Sequence, residues 1–324
     1  MTLKIIITTF CVLISYVGFS QDVSFSQPTN SKLYLNPAFT NSRHDPELTM
    51  TYRNQWPSMG ANYVTSMVTY EQSFINKNNG VGILLINDRS SNGVYSLNGV
   101  NLYFSNQQNL NSRLNLKVGL ETGYKQNFID NDKLYFEDSF NGESFSNISS
   151  EPFLNGLKSY YLDVGMGILL FNENSYIGLS VNHLNEPNQS LLFGKSRLPM
   201  KFGLHGLLIT EVNKSSYPKD KVFYIPSFSF TRQGEFTELT VNNNFKNRNL
   251  LVGVGFRLVD GYSYRDAFIV NFGVDTDTIT FLYGYDFTIS PIGPSNGGAH
   301  EITTIIKVNR PQPKKRVVIP PCTF

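Results

Sequence analysis

From Arg113 to Lys125 the chain alternates between apolar and polar positions. Leu114, Leu116, Val118, Leu120 and Tyr124 fall on one side, and Asn115, Lys117, Gly119, Glu121, Gly123 and Lys125 on the other. Successive side chains of a strand point to opposite faces, so this period of two predicts a β-strand with one apolar and one polar face. The pattern returns where Ile279, Phe281, Tyr283, Tyr285 and Phe287 alternate with Thr280, Gly284 and Asp286, and where Phe268, Val270, Phe272 and Val274 alternate with Asn271 and Gly273. It is also present around Val252–Arg257 and Met200–His205. Many of these segments run for ~9–11 residues or more, the length of a tilted strand that crosses a bilayer. Strands of globular proteins usually run ~5–6 residues. A soluble two-sheet sandwich would share the alternation but not the length.

Two further properties point to a membrane barrel. The apolar faces often end in Tyr or Phe, as the aromatic girdles at membrane interfaces do. The opposite faces mix charge with Gly, which suits a wet or filled lumen better than a dry core. About fourteen strands are predicted, starting near Leu48, Ala61, Gly80, Val94, Arg113, Tyr160, Ser175, Met200, Val222, Glu235, Asn249, Arg265, Thr278 and Ala299. An even number closing on itself leaves no unpaired edge for lipid to meet. If the first strand rises from the periplasm, Glu173–Asn174, Lys246–Arg248 and Thr276–Asp277 are short periplasmic turns. The long connections near 128–159, 184–199 and 289–298 then all fall on the extracellular side, with Lys214–Lys221 a medium-length exception. The expected fold is an all-β, transmembrane antiparallel barrel spanning residues 48–309.

Composition sharpens this picture. Of 324 residues, 44 are Phe, Tyr or Trp and only 16% are charged, against roughly a quarter in soluble domains. With 35 Asn and 25 Gly, the chain favours strands and turns. A net charge of +2 offers no basic face to phosphates, which argues against nucleic acid as a partner. No apolar run reaches 18 residues, so helical membrane spans are not expected.

Residues 1–20 read as a signal peptide: Lys4, the apolar stretch Ile5–Val17, and a small residue at Ser20. One cysteine, Cys322, then remains, and no internal disulfide can form. The tail, residues 310–324, carries Arg310, Lys314, Lys315 and Arg316 and no acid. Setting aside Lys4 and those four leaves 22 basic against 25 acidic groups, so the tail is a separate basic element. Its Pro311, Pro313, Pro320 and Pro321 keep it out of helix and strand.

Chemistry is sparse. His44, His183, His205 and His300 have no ligand partner at a zinc-like spacing, so no metal or other cofactor is expected. Gly194-Lys195-Ser196 imitates the end of a phosphate-binding loop, but Gln189 stands where its first glycine belongs. No nucleophile elbow occurs. The expectation is a protein that is not an enzyme.

Several segments occur in an order that resembles the PorP/SprF family of outer-membrane proteins. They are Phe25-Ser26-Gln27 with Leu33-Tyr34-Leu35-Asn36-Pro37-Ala38-Phe39, then Tyr52-Arg53-Asn54-Gln55-Trp56-Pro57, then Leu85-Ile86-Asn87-Asp88-Arg89. His183–Ser190, Arg197-Leu198-Pro199, Tyr285–Ser290 and Gly297–Ile302 follow, so the resemblance covers about residues 22–308. It implies a monomeric barrel without enzymatic activity in the type IX secretion system. Such a barrel would support export or surface anchoring of large adhesins through their secreted C-terminal domain, would contact periplasmic ring components, and would sit in outer-membrane lipid.

The same residues have physical readings. Residues 21–47 form a Pro-punctuated, extended segment in which Pro37 keeps Asn36 out of helix and sets a turn between Tyr34 and Phe39. This segment either plugs the lumen or leads in order to the first strand. Arg53 is expected in an ion pair, and Trp56 is an interface anchor or a partner contact. Gly297 and Gly298 permit a tight bend before His300 and Glu301, a set assigned to barrel closure. Arg310, Lys314, Lys315 and Arg316 would dock on an acidic periplasmic partner, or on anionic lipid or cell wall. Two other functions compete: a passive transporter of hydrophobic small molecules, using inward Leu169, Ile269, Leu282 and Ile305, and a general porin.

Overall fold

The protein was described from a computed structural model covering residues 21–41, 46–73, 78–134, 140, 157–192, 194–213, 221–260 and 265–308. Residues 1–20, expected to be a signal peptide, and the basic tail with Cys322 lie outside the described residues. The strands are β1 (Glu47–Gln55), β2 (Tyr63–Ser73), β3 (Asn79–Ser90), β4 (Tyr95–Asn109), β5 (Asn115–Ile129), β6 (Lys158–Phe171), β7 (Ser175–Asn182) and β8 (Lys201–Leu208). They continue with β9 (Thr210–Glu211), β10 (Val222–Gln233), β11 (Phe236–Asn247), β12 (Leu250–Val259), β13 (Ala267–Asp275), β14 (Ile279–Thr288) and β15 (Ala299–Lys307).

β8 and β9 are one stave. Ser227 pairs with Leu207 and Tyr224 with Thr210 in a single register, and only the step opposite Ile225 and Pro226 is missing. Pro226 has no N–H for the ladder, so the pairing lapses there and resumes beyond. The sheet therefore has fourteen staves, each antiparallel to its neighbours, and it closes where β1 pairs with β15 from Glu47–Lys307 to Gln55–Ala299. Every stave starts within two residues of the position that alternation predicts.

Alternation becomes a division between inside and outside. Along β5, Asn115, Lys117, Gly119, Glu121, Gly123 and Lys125 are buried, whereas Val118, Leu120 and Tyr124 are exposed. The outward apolar band is bounded by amides. On the loop side Asn87 donates to Asn98 (2.7 Å) and Asn98 to Gln126 (3.3 Å); near the turns Asn106 donates to Asn79 (2.6 Å). Between them Val81, Leu85, Val100, Leu102 and Phe104 face out. The eight steps from Asn79 to Asn87 span about 27 Å along the strand. A tilt of ~35–45° reduces that to about 21 Å, close to the ~25 Å apolar band of outer-membrane barrels.

The longest connections fall at one end, although 91–94 and the two-residue turn 234–235 at that end are short and 212–221 at the other end is of medium length. Residues 110–114, 172–174, 248–249 and 276–278 turn at the end where β1 starts and β15 finishes. Residues 130–157, 183–200 and 289–298 all connect at the other end. Outer-membrane barrels keep short turns in the periplasm and long loops outside.

Candidate functional site

Inside the ring lies the segment 21–41. It holds two 3-10 turns, Pro28–Asn30 and Pro37–Phe39, and a single helical turn α1 (Lys32–Leu35) between them. Each proline opens a turn, where its missing N–H and fixed φ cost nothing. Asn36 is extended (φ −161°, ψ 123°), which ends α1. Its side chain accepts from the Ala38 N–H at 2.8 Å and so caps the second turn.

The segment enters from the turn end at Glu47 and runs toward the loop end, where Gln21–Ser24 lie. Near the turns, Lys32 Nζ meets Glu47 Oε1 at 2.7 Å with both side chains buried, Glu71 accepts from the Asn41 N–H (2.9 Å), and Lys117 Nζ donates to the Asn41 carbonyl (2.7 Å). At mid-height Asn36 Nδ2 donates to the Leu179 carbonyl (2.9 Å) and lies 3.0 Å from His205 Nε2. There Phe39 packs edge-on against Tyr176, with ring centroids 5.0 Å apart, in a cluster with Ala38, Leu169, Phe171, Leu207 and Ile225. Leu33 and Phe25 enter a second cluster with Met67, Leu84, Ile86 and Tyr103. Gly119 and Gly167 leave room for the second turn, because a Cβ on Gly119 would overlap the Pro37 and Ala38 backbone and one on Gly167 the Asn36 amide.

Higher up, charge is concentrated at the seam. Arg53 of β1 and Glu301 of β15 stand directly opposite, with Nη1 3.2 Å from Oε2. The same guanidinium donates to Ser26 Oγ (2.6 Å) and to Asp286 Oδ2 (2.8 Å). Asp286 also accepts from Arg257 Nη2 at 2.7 Å. Glu301 in turn accepts from the N–H groups of Ser26 (2.7 Å) and Gln27 (3.1 Å). One buried cluster thus joins the closing strands to the inner segment. Charged groups removed from water need such mutual satisfaction, since unpaired ones cost several kcal/mol.

A second cluster holds the start of the segment. Asp22 Oδ2 lies 3.1 Å from His183 Nε2 and 3.0 Å from Lys201 Nζ, while His183 Nδ1 is 2.9 Å from Asp163. Burial opposes the charged form of Asp22, but Lys201 and His183 outweigh it and hold this carboxyl well below its usual range. Burial also opposes charge on His183. The Asp22 and Asp163 carboxylates prevail, and its pKa is raised to about 9, so both ring nitrogens carry protons at neutral pH. Tyr34 stands beside this cluster, its OH bonded to the Val23 carbonyl (3.1 Å) and its ring beneath Lys201 (4.6 Å).

The residues expected to be functional are therefore distributed as follows. Tyr34, Asn36, Pro37 and Phe39 lie in the inner segment, and Arg53 touches the same segment through Ser26. Trp56 follows β1 at the loop end with φ 58°, its N–H donating to the Gly298 carbonyl (2.7 Å) and its ring edge-on to Tyr63. Gly297 (φ 84°) and Gly298 (φ 66°) form the bend before β15. His300 and Glu301 are consecutive in a strand, so they face opposite ways: Glu301 inward, His300 outward, with its Nδ1 2.8 Å from the Tyr283 hydroxyl. Arg310, Lys314, Lys315 and Arg316 lie outside the described residues. Asp22, Lys117, His205, Arg257 and Asp286 were not singled out in the sequence. Their signal was a charged or imidazole side chain on the Gly-rich face of an alternating strand, or, for Asp22, a carboxylate next to the first residue of the segment. Among the described residues no group of three or more His, Cys, Asp or Glu is arranged to hold a metal.

Solved barrels of similar shape include the TodX deltaS2S3 mutant monoaromatic hydrocarbon channel, with 11% identity, TM-score 0.47, and coverage of 86% of this chain and 93% of that one. The CymD monoaromatic hydrocarbon channel matches at 10% identity and TM-score 0.47, covering 91% and 95% of the two chains. A Pseudomonas aeruginosa FadL homologue matches at 9% identity and TM-score 0.44, covering 86% and 92%. No curated protein matches the sequence. Residues 17–306 match the family described as type IX secretion system membrane protein PorP/SprF. With the fourteen-stave barrel almost wholly inside that match, the chain belongs to the PorP/SprF family of type IX secretion system membrane proteins.

Proposed function

We propose that this outer-membrane barrel is a non-enzymatic anchor of the type IX secretion system that supports export and surface attachment of large adhesins. Family membership supports the system. What supports an anchoring role over a conduit is the lumen: residues 22–41 run through it and are tied by ion pairs and hydrogen bonds to staves on opposite sides of the ring. A passive transporter of hydrophobic molecules needs a free apolar path. Here the inward Leu169 packs against Ala38 and Phe39, and Leu251, Leu282 and Ile305 pack on one another. The segment acts as a plug, with Tyr34, Asn36, Pro37 and Phe39 at its centre.

The second part of the proposal concerns the periplasmic side. β15 ends among the short turns, and this supports the reading that the basic residues following it in the sequence, Arg310, Lys314, Lys315 and Arg316, dock on an acidic face of a ring component. Long-range attraction brings the two together.

Crosslinking in intact cells, followed by identification of attached proteins, tests both parts. Secreted adhesins and periplasmic ring proteins are expected, and ring crosslinks should vanish when residues 310–324 are removed. Gene deletion that leaves surface adhesins intact but abolishes uptake of lipophilic compounds would reverse the assignment.

A further inference from the structure

The loop end of the barrel encloses a cavity of about 880 Å3, within the ~300–1,000 Å3 typical of ligand sites. Its walls are the loop-side ends of β1–β4, β11 and β12, and Gln21–Ser24 of the inner segment line it from below. It therefore lies at the loop end of the lumen and is backed by the chain's own segment.

Its chemistry is two-sided. Asp88, Glu238 and Asp260 border it, and among the described residues none forms an ion pair within 4 Å, although Arg257 acts on Glu238 at longer range; Asp88 accepts from the Thr65 hydroxyl (2.6 Å) and Glu238 from Ser24 (2.5 Å). Arg53 and Arg257 also border it while only 1% and 3% exposed, and Nε of the first and Nη1 of the second have no acceptor. Trp56, Tyr63 and Tyr95 add aromatic surface. An extended peptide answers all three features. Its carbonyls accept guanidinium N–H groups, and its lysine or arginine side chains meet carboxylates and aromatic faces.

We propose that this vestibule is the socket for an extended, lysine- or arginine-bearing peptide segment of a cell-surface protein; the inference rests on the anchoring role proposed above. Trp56 is the single tryptophan of the chain and lines the cavity, so its emission reports occupancy. The full-length barrel in detergent is titrated with a Ser-Lys repeat octapeptide and, separately, with a Ser-Glu repeat octapeptide.

The basic peptide is expected to change Trp56 emission saturably, to bind more weakly as salt screens the charges, and to lose about tenfold in affinity with Asp88→Asn/Asp260→Asn. Asp130→Asn, an acid outside the cavity, should leave binding unchanged. Equal binding of both peptides, or unaltered binding to the double variant, would overturn the socket. Cells separate the two levels. If gene deletion leaves adhesins on the surface, the anchoring role fails. If deletion strips them but Asp88→Asn/Asp260→Asn cells retain them, the socket alone fails.

Discussion

Asn36 occupies the space that a side chain at Gly167 would need: a Cβ there would overlap the Asn36 amide oxygen. Gly119 stands in the same relation to the Pro37 and Ala38 backbone. These inward glycines are therefore complementary in shape to the inner segment, and the pairing leads to a direct test. Gly119→Val should lower stability by about 1–3 kcal/mol through overpacking and should open the pore to ions in planar bilayers as the second turn is displaced. Gly123→Ala, whose Cβ would meet only the Asn101 side chain at 3.0 Å, should stay closed. A closed Gly119→Val barrel of unchanged stability would contradict the fit.

Removing residues 22–40 should have a larger effect of the same sign. Conductance should rise from closed to open, because the deletion removes the inner-segment side chains from both apolar clusters. Closed behaviour after deletion would show that the segment is only a lead-in to β1.

Arg53→Met should destabilise the seam by about 3–5 kcal/mol, since it leaves Glu301 buried without its cation and Asp286 with one of two. Arg53→Met/Glu301→Gln should cost less than Arg53→Met alone, because the uncompensated charge is gone. Urea midpoints read both. A double variant worse than the single would mean that the pair matters for packing and not for charge.

The Asp22 cluster makes anchoring of the segment's start depend on pH at both ends. His183 has a pKa raised to about 9, above the unperturbed ~6.5. Its contribution is complete below the unfolded value and disappears as pH climbs through about 9. Asp22 is depressed, so its contribution is present above ~4 and fades at lower pH. Hydrogen exchange at residues 22–26 should accelerate on raising the pH toward 10, beyond the intrinsic base-catalysed rise. His183→Gln should remove that alkaline acceleration, and identical profiles for the two proteins would refute the assignment.

Pro226→Val should supply the N–H missing opposite Leu208 and join β8 to β9. The expected gain is about 0.5–1.5 kcal/mol, seen as a higher urea midpoint. A loss would mean that the interruption is needed for the bend of this stave.

Much of this architecture was readable in advance, and the reason is local. Strand alternation has period two, and lipid on one side demands apolar residues, so β5 declared its inward and outward faces residue by residue. Closure followed from the even number of strands and from the longest connections falling at one end. The partners of the inward groups were not readable. Arg53 was expected in an ion pair, yet its partners Glu301 and Asp286 lie more than 230 positions away. Nothing in periodicity couples positions that far apart.

The amino-acid sequence by itself determined the strands, their faces, their number and the family. The tertiary structure alone decided that the first described residue lies at the loop end and Glu47 at the turn end, so that the segment between them runs the length of the lumen. The physical reason lies in range. Alternation and turn chemistry act between neighbours along the chain, whereas the path of 21–41 is set by side chains from a dozen staves that meet only when β1 closes on β15.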